Sequence, residues 1–294
     1  MVEPLIILCP LRSFSSVACG MLGQHPEMYG FPELHLFVAD SIEELMLYHE
    51  RKGRAKGGPG LLRSLAQLHD GIQTETTIHK AKQWLDERQD WSTKKIFDYL
   101  LEQINPKIGI DKTPVTVMKS EFIERAYIMF PKSKFLHLTR HPISAGKSMQ
   151  DFFEQMSKIS VRESSKTLDP ARLWLQTHSR IMEFTSTLPV GQSMRLKGED
   201  LLSNPDVYLP QIAEWLGVRT DKEAIEAMKH PETSSYASIG PRGARGGNDP
   251  KFLKSPVLRV GQVSEPSLNR ALEWALDQGF STKITKLAKQ MGYQ

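Results

Sequence analysis

Leu5-Ile6-Ile7-Leu8-Cys9-Pro10-Leu11-Arg12-Ser13-Phe14-Ser15-Ser16 is the stretch whose reading decides the fold. Its first five residues form a short continuous apolar run, the pattern of a strand buried on both faces, as in a parallel sheet. Pro10 and the polar pair Arg12-Ser13 end that run. Ser15 to Leu22 then reads as a helix opened by hydroxyl-bearing residues. A tight loop from buried strand to helix is a natural anion cradle, because the free N–H groups of the first turn and the helix dipole attract a phosphate. Ser13, Ser15 and Ser16 add hydroxyls, and Arg12 adds a fork able to grip two oxygens. The segment alone is also what a plain serine-capped helix looks like.

Working outward, residues 35–104 read as largely helical, interrupted at Gly57-Gly58-Pro59-Gly60. Further short strands are expected at Lys107–Asp111 and Phe135–Thr139, with a weaker one at Gln192–Lys197. Helical patterns lie at about 115–129, 143–157, 170–187, 205–216, 221–230 and 267–290. Strands alternating with helices predict an α/β fold: a central parallel sheet flanked by helices, in a single domain spanning 1–294. The 36–104 region is then a helical insertion after the first strand–helix unit. Residues 232–264 are rich in Ser, Gly and Pro and read as either a solvated or a functional loop.

The bulk numbers narrow the function classes. In 294 residues, 39% are hydrophobic and 24% charged, enough for a packed core, and the net charge is +4. That mild excess does not suit a nucleic-acid coat. It suits a protein holding one polyanionic small molecule, or simply a slightly basic protein. The two cysteines, Cys9 and Cys19, form no CxxC pair, which argues against a zinc site or disulfide framework. The N-terminus lacks a signal-peptide pattern, and no apolar stretch approaches the roughly 18 residues that span a bilayer. A cytoplasmic protein without stable membrane insertion is expected.

A second constellation is Thr139-Arg140-His141-Pro142-Ile143-Ser144-Ala145-Gly146-Lys147-Ser148. Arg140 stands at the carboxyl end of a strand, where ligands bind in open α/β sheets. Ser148 follows about two helical turns later, so both can face one phosphate. An ordinary strand-to-helix turn with an exposed arginine is the alternative. Gly146-Lys147-Ser148 is not a kinase-type P-loop: the required first glycine falls on His141, and the fragment lies inside a helical pattern. A P-loop-type nucleotide kinase and a non-catalytic nucleotide-binding module remain the rival readings.

With these residues in order, the chain resembles the sulfotransferases that use 3′-phosphoadenosine 5′-phosphosulfate (PAPS). It is most similar to the bacterial and tyrosylprotein-type branch, including sulfotransferase domains attached to cyanobacterial polyketide synthases. The resemblance runs through Leu11–Ser16, His25-Pro26, Arg140 with Pro142 and Ser148, Gly198-Glu199-Asp200-Leu201-Leu202 with Pro205, and Ile212–Gly217. It implies a P-loop-like sheet. It also implies that Arg12, Ser13, Phe14, Ser15 and Ser16 hold the 5′-phosphosulfate, and that Arg140 and Ser148 hold the 3′-phosphate. Arg242, Arg245 and Gly246 are similar in place to a glycine-rich segment closing over the nucleotide. Phe14 stands where the family has glycine, so a more restricted backbone is expected, with the ring covering the nucleotide or lining the acceptor pocket.

Sulfuryl transfer, like phosphoryl transfer, needs in-line positioning and charge stabilisation, and the acceptor hydroxyl needs a base. The resemblance implies that Glu33, in Gly30-Phe31-Pro32-Glu33-Leu34-His35-Leu36, is that base. His35 offers an unperturbed pKa near 6.5 and is the competing candidate. Both also fit plainer roles, as a helix-terminal carboxylate and a core histidine. The resemblance further implies that Lys112 stabilises charge on the sulfate and leaving-group oxygens, with Arg12 assisting and PAP (adenosine 3′,5′-bisphosphate) as product. No divalent metal is required. The insertion, with Trp84, Trp91, Phe97 and Tyr99, is expected to shape a pocket for a small-molecule, lipid-like or carrier-protein-bound alcohol. Such residues at helical spacing are more often ordinary core.

Overall fold

The computed structural model describes residues 2–159, 169–259, 261, 263, 265–268 and 278–294. Five strands form one parallel sheet: β1 (Leu5–Leu8), β2 (Met28–Gly30), β3 (Ile108–Asp111), β4 (Lys134–Thr139) and β5 (Ser193–Lys197). Their spatial order is β2-β3-β1-β4-β5, so β1 lies at the centre between β3 and β4. Ile6 is in register with Asp111 on one side and Phe135 on the other. The helices are α1 (Ser15–Leu22), α2 (Ile42–Glu50), α3 (Pro59–Asp70), α4 (Glu75–Asp86), α5 (Thr93–Ile104), α6 (Ser120–Met129) and α7 (Pro142–Ile159). They continue with α8 (Pro170–Ser186), α9 (Gly198–Ser203), α10 (Pro205–Leu216), α11 (Lys222–Ala227), α12 (Pro250–Lys254) and α13 (Gln278–Gln290).

The continuous apolar run is explained by what covers β1. Its side chains alternate between faces. Ile6 and Leu8 join the core beneath α3, α4 and α5, whereas Leu5, Ile7 and Cys9 join the core beneath α1 and α10. A third cluster, including Met149, Trp174, Ile284 and Tyr293, packs α7, α8 and α13 together. Local chemistry starts the insertion's helices: Ser41 and Ser92 cap α2 and α5, and Thr74 with Thr77 forms a capping box on α4.

The expected strands and most expected helices are present. Three features differ. The edge strand β2 has only three residues and, among the described residues, pairs with β3 alone, so it carries little periodicity to read. Gly198-Glu199-Asp200, expected only as the end of a strand, opens α9. Residues 232–264 are mainly irregular but contain α12, and residues 260, 262 and 264 of that stretch lie outside the described ones. The last helix, expected over 267–290, is described from Gln278 onward; 269–277 lie outside the described residues.

Candidate active site

The carboxyl ends of all five strands face one edge of the sheet and deliver the candidate residues. The loop after β1 is the most constrained. Arg12 and Phe14 both take left-handed backbone conformations, with φ of 66° and 62°. Each costs about 1–3 kcal/mol for a non-glycine residue, so tertiary partners must hold them. Phe14, expected to keep a restricted backbone, thus adopts the conformation a glycine would take. Its ring lies 4.2 Å from the Arg140 guanidinium, a cation–π geometry, and its other side meets Gly198. A Cβ at Gly198 would stand 2.5 Å from a Phe14 ring carbon, so only glycine admits the ring.

Arg12 donates from Nε to Ser148 Oγ at 3.1 Å and pairs with the Asp249 carboxylate. Arg140 donates from Nη1 to the Arg12 carbonyl at 2.6 Å and from Nε to Ser144 Oγ at 3.1 Å. Burial pushes the Arg140 guanidinium down to about 10, which leaves it cationic near neutrality. Its backbone is pinned as well: the Trp174 indole donates to the Arg140 carbonyl at 2.9 Å, and the Glu199 carboxylate accepts from the His141 amide at 2.8 Å. The Tyr293 hydroxyl donates to the same carboxylate at 3.1 Å. Arg12, Arg140, Ser148, Ser16 and Phe14 line a cavity of about 280 Å³, whose apolar wall includes Val17, Leu202 and Phe252. Ser13 Oγ is buried in the same loop without a hydrogen-bond partner among the described residues. An unpaired buried hydroxyl is costly, and an anion's oxygen would satisfy it.

A second cluster lies one hydroxyl behind that cavity. Lys112 follows β3, is fully buried, and donates from Nζ to Ser16 Oγ at 3.1 Å, Glu33 Oε1 at 3.2 Å and the Gly247 carbonyl at 3.4 Å. Three acceptors thereby match the three donors of the ammonium. The Glu33 carboxylate is 24% exposed, so it is open to an acceptor while Lys112 is not. The Glu33 amide donates to the Gly247 carbonyl at 2.8 Å.

His35 also has a left-handed backbone, φ 61°, and its amide donates to Thr113 Oγ1 at 3.3 Å. Thr113 in turn donates from Oγ1 to Asp111 at 2.9 Å. Burial pushes Asp111 up to about 6, against these Thr113 hydrogen bonds. Burial, reinforced by the nearby Arg54, pushes His35 down to about 3. The ring is therefore neutral near pH 7. Its Nδ1 lies 3.1 Å from the Glu33 carbonyl, which can only accept. This assigns the proton to Nδ1 and leaves Nε2 as an acceptor, 3.5 Å from the Arg54 guanidinium and 4.0 Å from Glu33 Oε2.

The structure thus gathers Arg12, Phe14, Ser16, Arg140 and Ser148 around one cavity, with Ser13 and Ser15 buried behind it. Through Ser16 it joins them to Lys112, Glu33 and His35. Arg12 reaches Ser148 and Asp249 rather than the Lys112–Glu33 pair. Arg242 and Arg245 are exposed and outside the cavity lining, and the Gly246 carbonyl accepts from Arg63. From the late loop it is instead Asp249, Lys251, Phe252 and Arg259 that line the cavity. Asp249-Pro250 is an N-cap followed by a first-turn proline, a signal legible in the sequence that would have located α12. Phe97 is core, whereas Trp84, Trp91, Tyr99 and His69 stack on one another away from the cavity. Among the described residues no group of three or more His, Cys, Asp or Glu could hold a metal ion, and no helix is long and apolar enough to cross a membrane.

Known structures share this architecture. The sulfotransferase domain from the curacin biosynthetic pathway superposes with a TM-score of 0.78 at 20% identity, covering 100% of this chain and 99% of its own. The sulfotransferase domain from the Synechococcus PCC 7002 olefin synthase gives 0.76 at 24% identity, covering 100% and 97%. At these identities the likeness establishes the fold, a P-loop-like sheet flanked by helices. A search of curated proteins returns no significant match. The sequence profile of the sulfotransferase family matches residues 4–222, which include every strand and both cationic clusters, and the chain belongs to that family.

Proposed function

We propose that the chain transfers the sulfuryl group of PAPS to an alcohol and releases PAP. The observation that carries this reading is the junction at Ser16, whose side chain belongs both to the Arg12–Arg140–Ser148 cavity and to the Lys112–Glu33 cluster. One site can thus hold a doubly anionic nucleotide at one end and present its reactive end to a lysine and a carboxylate. The unpartnered Ser13 hydroxyl and the loop amides suit the phosphosulfate end, while Arg140 and Ser148 suit the 3′-phosphate.

PAPS supplies an electrophilic sulfur and a phosphate leaving group. The protein's residues do the rest. Glu33 takes the hydroxyl proton of the acceptor as its oxygen bonds to sulfur and the bond from sulfur to the nucleotide oxygen breaks. Lys112, buried one hydroxyl away, stabilises the charge gained by the departing oxygens through its hydrogen bond to Ser16 Oγ. His35, a weak base at a pKa of about 3, holds the backbone of Glu33 through Nδ1 and is the orienting member of the pair. Arg12 acts on the nucleotide through the cavity. The acceptor is a small-molecule, lipid-like or carrier-protein-bound alcohol approaching the exposed edge of Glu33, and the reaction takes place in the cytoplasm.

Turnover, read as PAP released from PAPS with an alcohol panel, should fall about 10²–10⁴-fold in Glu33→Gln, the range of a lost general base. PAP affinity should stay within about twofold, since Glu33 does not line the nucleotide cavity. A near-normal rate would move the base to His35.

A further inference from the structure

Arg63 is an arginine of α3 with no exposed surface. Among the described residues, none of its hydrogen bonds goes to a carboxylate. Nε donates to Gln73 Oε1 at 2.6 Å, Nη1 to the Gly246 carbonyl at 2.6 Å and Nη2 to Ser238 Oγ at 3.3 Å. Its guanidinium also lies 5.7 Å from the Tyr236 ring. Burial pushes it down to about 10, so it is still a cation near pH 7. Burying an arginine without a counter-ion is expensive, and a packing role would be met by leucine or methionine.

What the guanidinium gathers is one segment. Ser238 and Gly246 are direct partners, and Gln73 passes the connection on by donating to the Ser235 carbonyl at 2.8 Å. A Cβ at Gly240 would stand 2.9 Å from Arg63 Nε, so that loop closes tightly on the side chain. The stretch 235–247 has no strand or α-helix of its own and no ladder to hold it. Arg63 takes the place of that ladder. The residue after its Nη1 partner is Gly247, whose carbonyl accepts from the Glu33 amide and from Lys112 Nζ. Two successive peptide groups, joined at the Gly247 Cα, therefore connect the buried guanidinium to the candidate base and the candidate charge-stabilising lysine.

We infer that Arg63 is a positioning residue for Glu33 and Lys112, acting by fixing the Gly246–Gly247 peptide from the helical insertion. Its importance for turnover rests on the reading of those two residues given above; the mechanical link does not. A planar fork bonded to three acceptors holds a peptide in one orientation, which a lysine's single ammonium does not. Catalytic groups displaced by about an ångström lose on the order of 10² in rate.

The test is hydrogen exchange at the Glu33 amide in wild type, Arg63→Met, Arg63→Lys and the milder Gln73→Leu, with α1 amides as internal reference and PAP affinity measured alongside. Glu33 exchange should rise at least about tenfold in Arg63→Met, less in Arg63→Lys and least in Gln73→Leu, with α1 amides and PAP affinity unchanged. Turnover should fall in the same order. Unchanged exchange at Glu33 in every folded variant would overturn the inference. So would a uniform rise at Glu33 and α1 together, the mark of general loosening. If Arg63→Met does not fold, Arg63→Lys and Gln73→Leu decide by the same criteria. If wild type binds no PAP, the functional reading fails, while the exchange result still decides the mechanical link.

Discussion

Two loops reach Ser16 from opposite ends of the chain, and they are held in different ways. The loop of residues 9–14 is anchored by the buried strand before it and the helix after it, and it carries left-handed backbone at Arg12 and Phe14. The late stretch of 235–249 has almost no regular structure and is held from outside. Arg63 takes its Gly246 carbonyl, Glu75 accepts from the Gly243 amide, Lys112 and Glu33 take Gly247, and Ser16 accepts from the Asp249 amide. The frame of the first loop can be read from a dozen residues because its strand and helix adjoin it, even though Arg140, Ser148 and Gly198 hold its left-handed residues; the path of a loop framed only by distant side chains cannot. The two also divide the chemistry. The first cradles an anion, and the second closes on it and supplies Asp249, a carboxylate already paired with Arg12.

Among the changes that probe this contrast between the loops, the largest effect should come from the residue bonded to both sides of it. Lys112→Ala removes the ammonium shared by Ser16 and Gly247. PAP release should drop on the order of 10²–10³-fold, the scale of losing one preorganised charge-stabilising donor, with a much smaller change in PAP affinity. Equal losses of both would contradict the division of labour. Next is Asp249→Asn, which sharpens the contrast because its sign is opposite. Freeing Arg12 from a competing carboxylate should tighten PAP binding by roughly three- to tenfold, the scale of a charge-assisted contact. Weaker binding would mean that Asp249 serves the nucleotide rather than competing with it.

The smallest effect is on stability. Burial holds His35, His49 and His178 down at about 3 and His141 at about 4, against an ordinary 6.5. Their unfolded forms bind protons more readily than their folded forms. Stability is therefore full above about pH 6.5 and is lost as pH falls toward these folded values. Asp111, raised to about 6 from 3.8, works the other way between those two values and offsets part of the loss. Melting temperature should fall from pH 7 to pH 4.5, and less steeply in His49→Leu. Both ring nitrogens of His49 are buried without partners among the described residues, so this change should also raise the neutral-pH melting temperature by a few degrees. A slope unchanged in His49→Leu would remove that residue from the account.

What could be read in the sequence follows the same division. The runs at Leu5–Cys9 and Phe135–Thr139 are strands covered on both faces of the sheet, and the continuous apolar character of the first is the direct trace of that. Lys112 and Arg140 are legible because each directly follows a short strand candidate, and Arg12 because it stands in the tight loop between the first strand and its helix. Glu33 and His35 follow the three-residue β2, which leaves no pattern; Glu33 rests on the resemblance and His35 on the ordinary pKa of its ring. Phe14 was legible as an oddity but not as a solution: its left-handed backbone is tolerated because Gly198, far along the chain, leaves room for the ring and Arg140 sits over it. The roles of Arg63 and Asp249 at the site are not legible in the sequence, because the bonds that tie them to it, to Gly246 and to Arg12, span 183 and 237 residues. Conversely, Arg242 and Arg245 stood out in the sequence yet lie outside the cavity lining. A glycine-arginine repeat reports composition, whereas the cavity is set by where α12 begins.

The central claim is that the cavity beside Ser16 holds a nucleotide with a 3′-phosphate. Calorimetric titration of PAP into wild type and Arg140→Ala, with ATP–Mg as comparison, tests it most directly. The account predicts saturable PAP binding in wild type, a loss on the order of 100-fold in Arg140→Ala as a buried charge-assisted partner disappears, and little affinity for ATP–Mg. No heat from PAP at millimolar concentration, or tighter binding of ATP–Mg than of PAP, would contradict it.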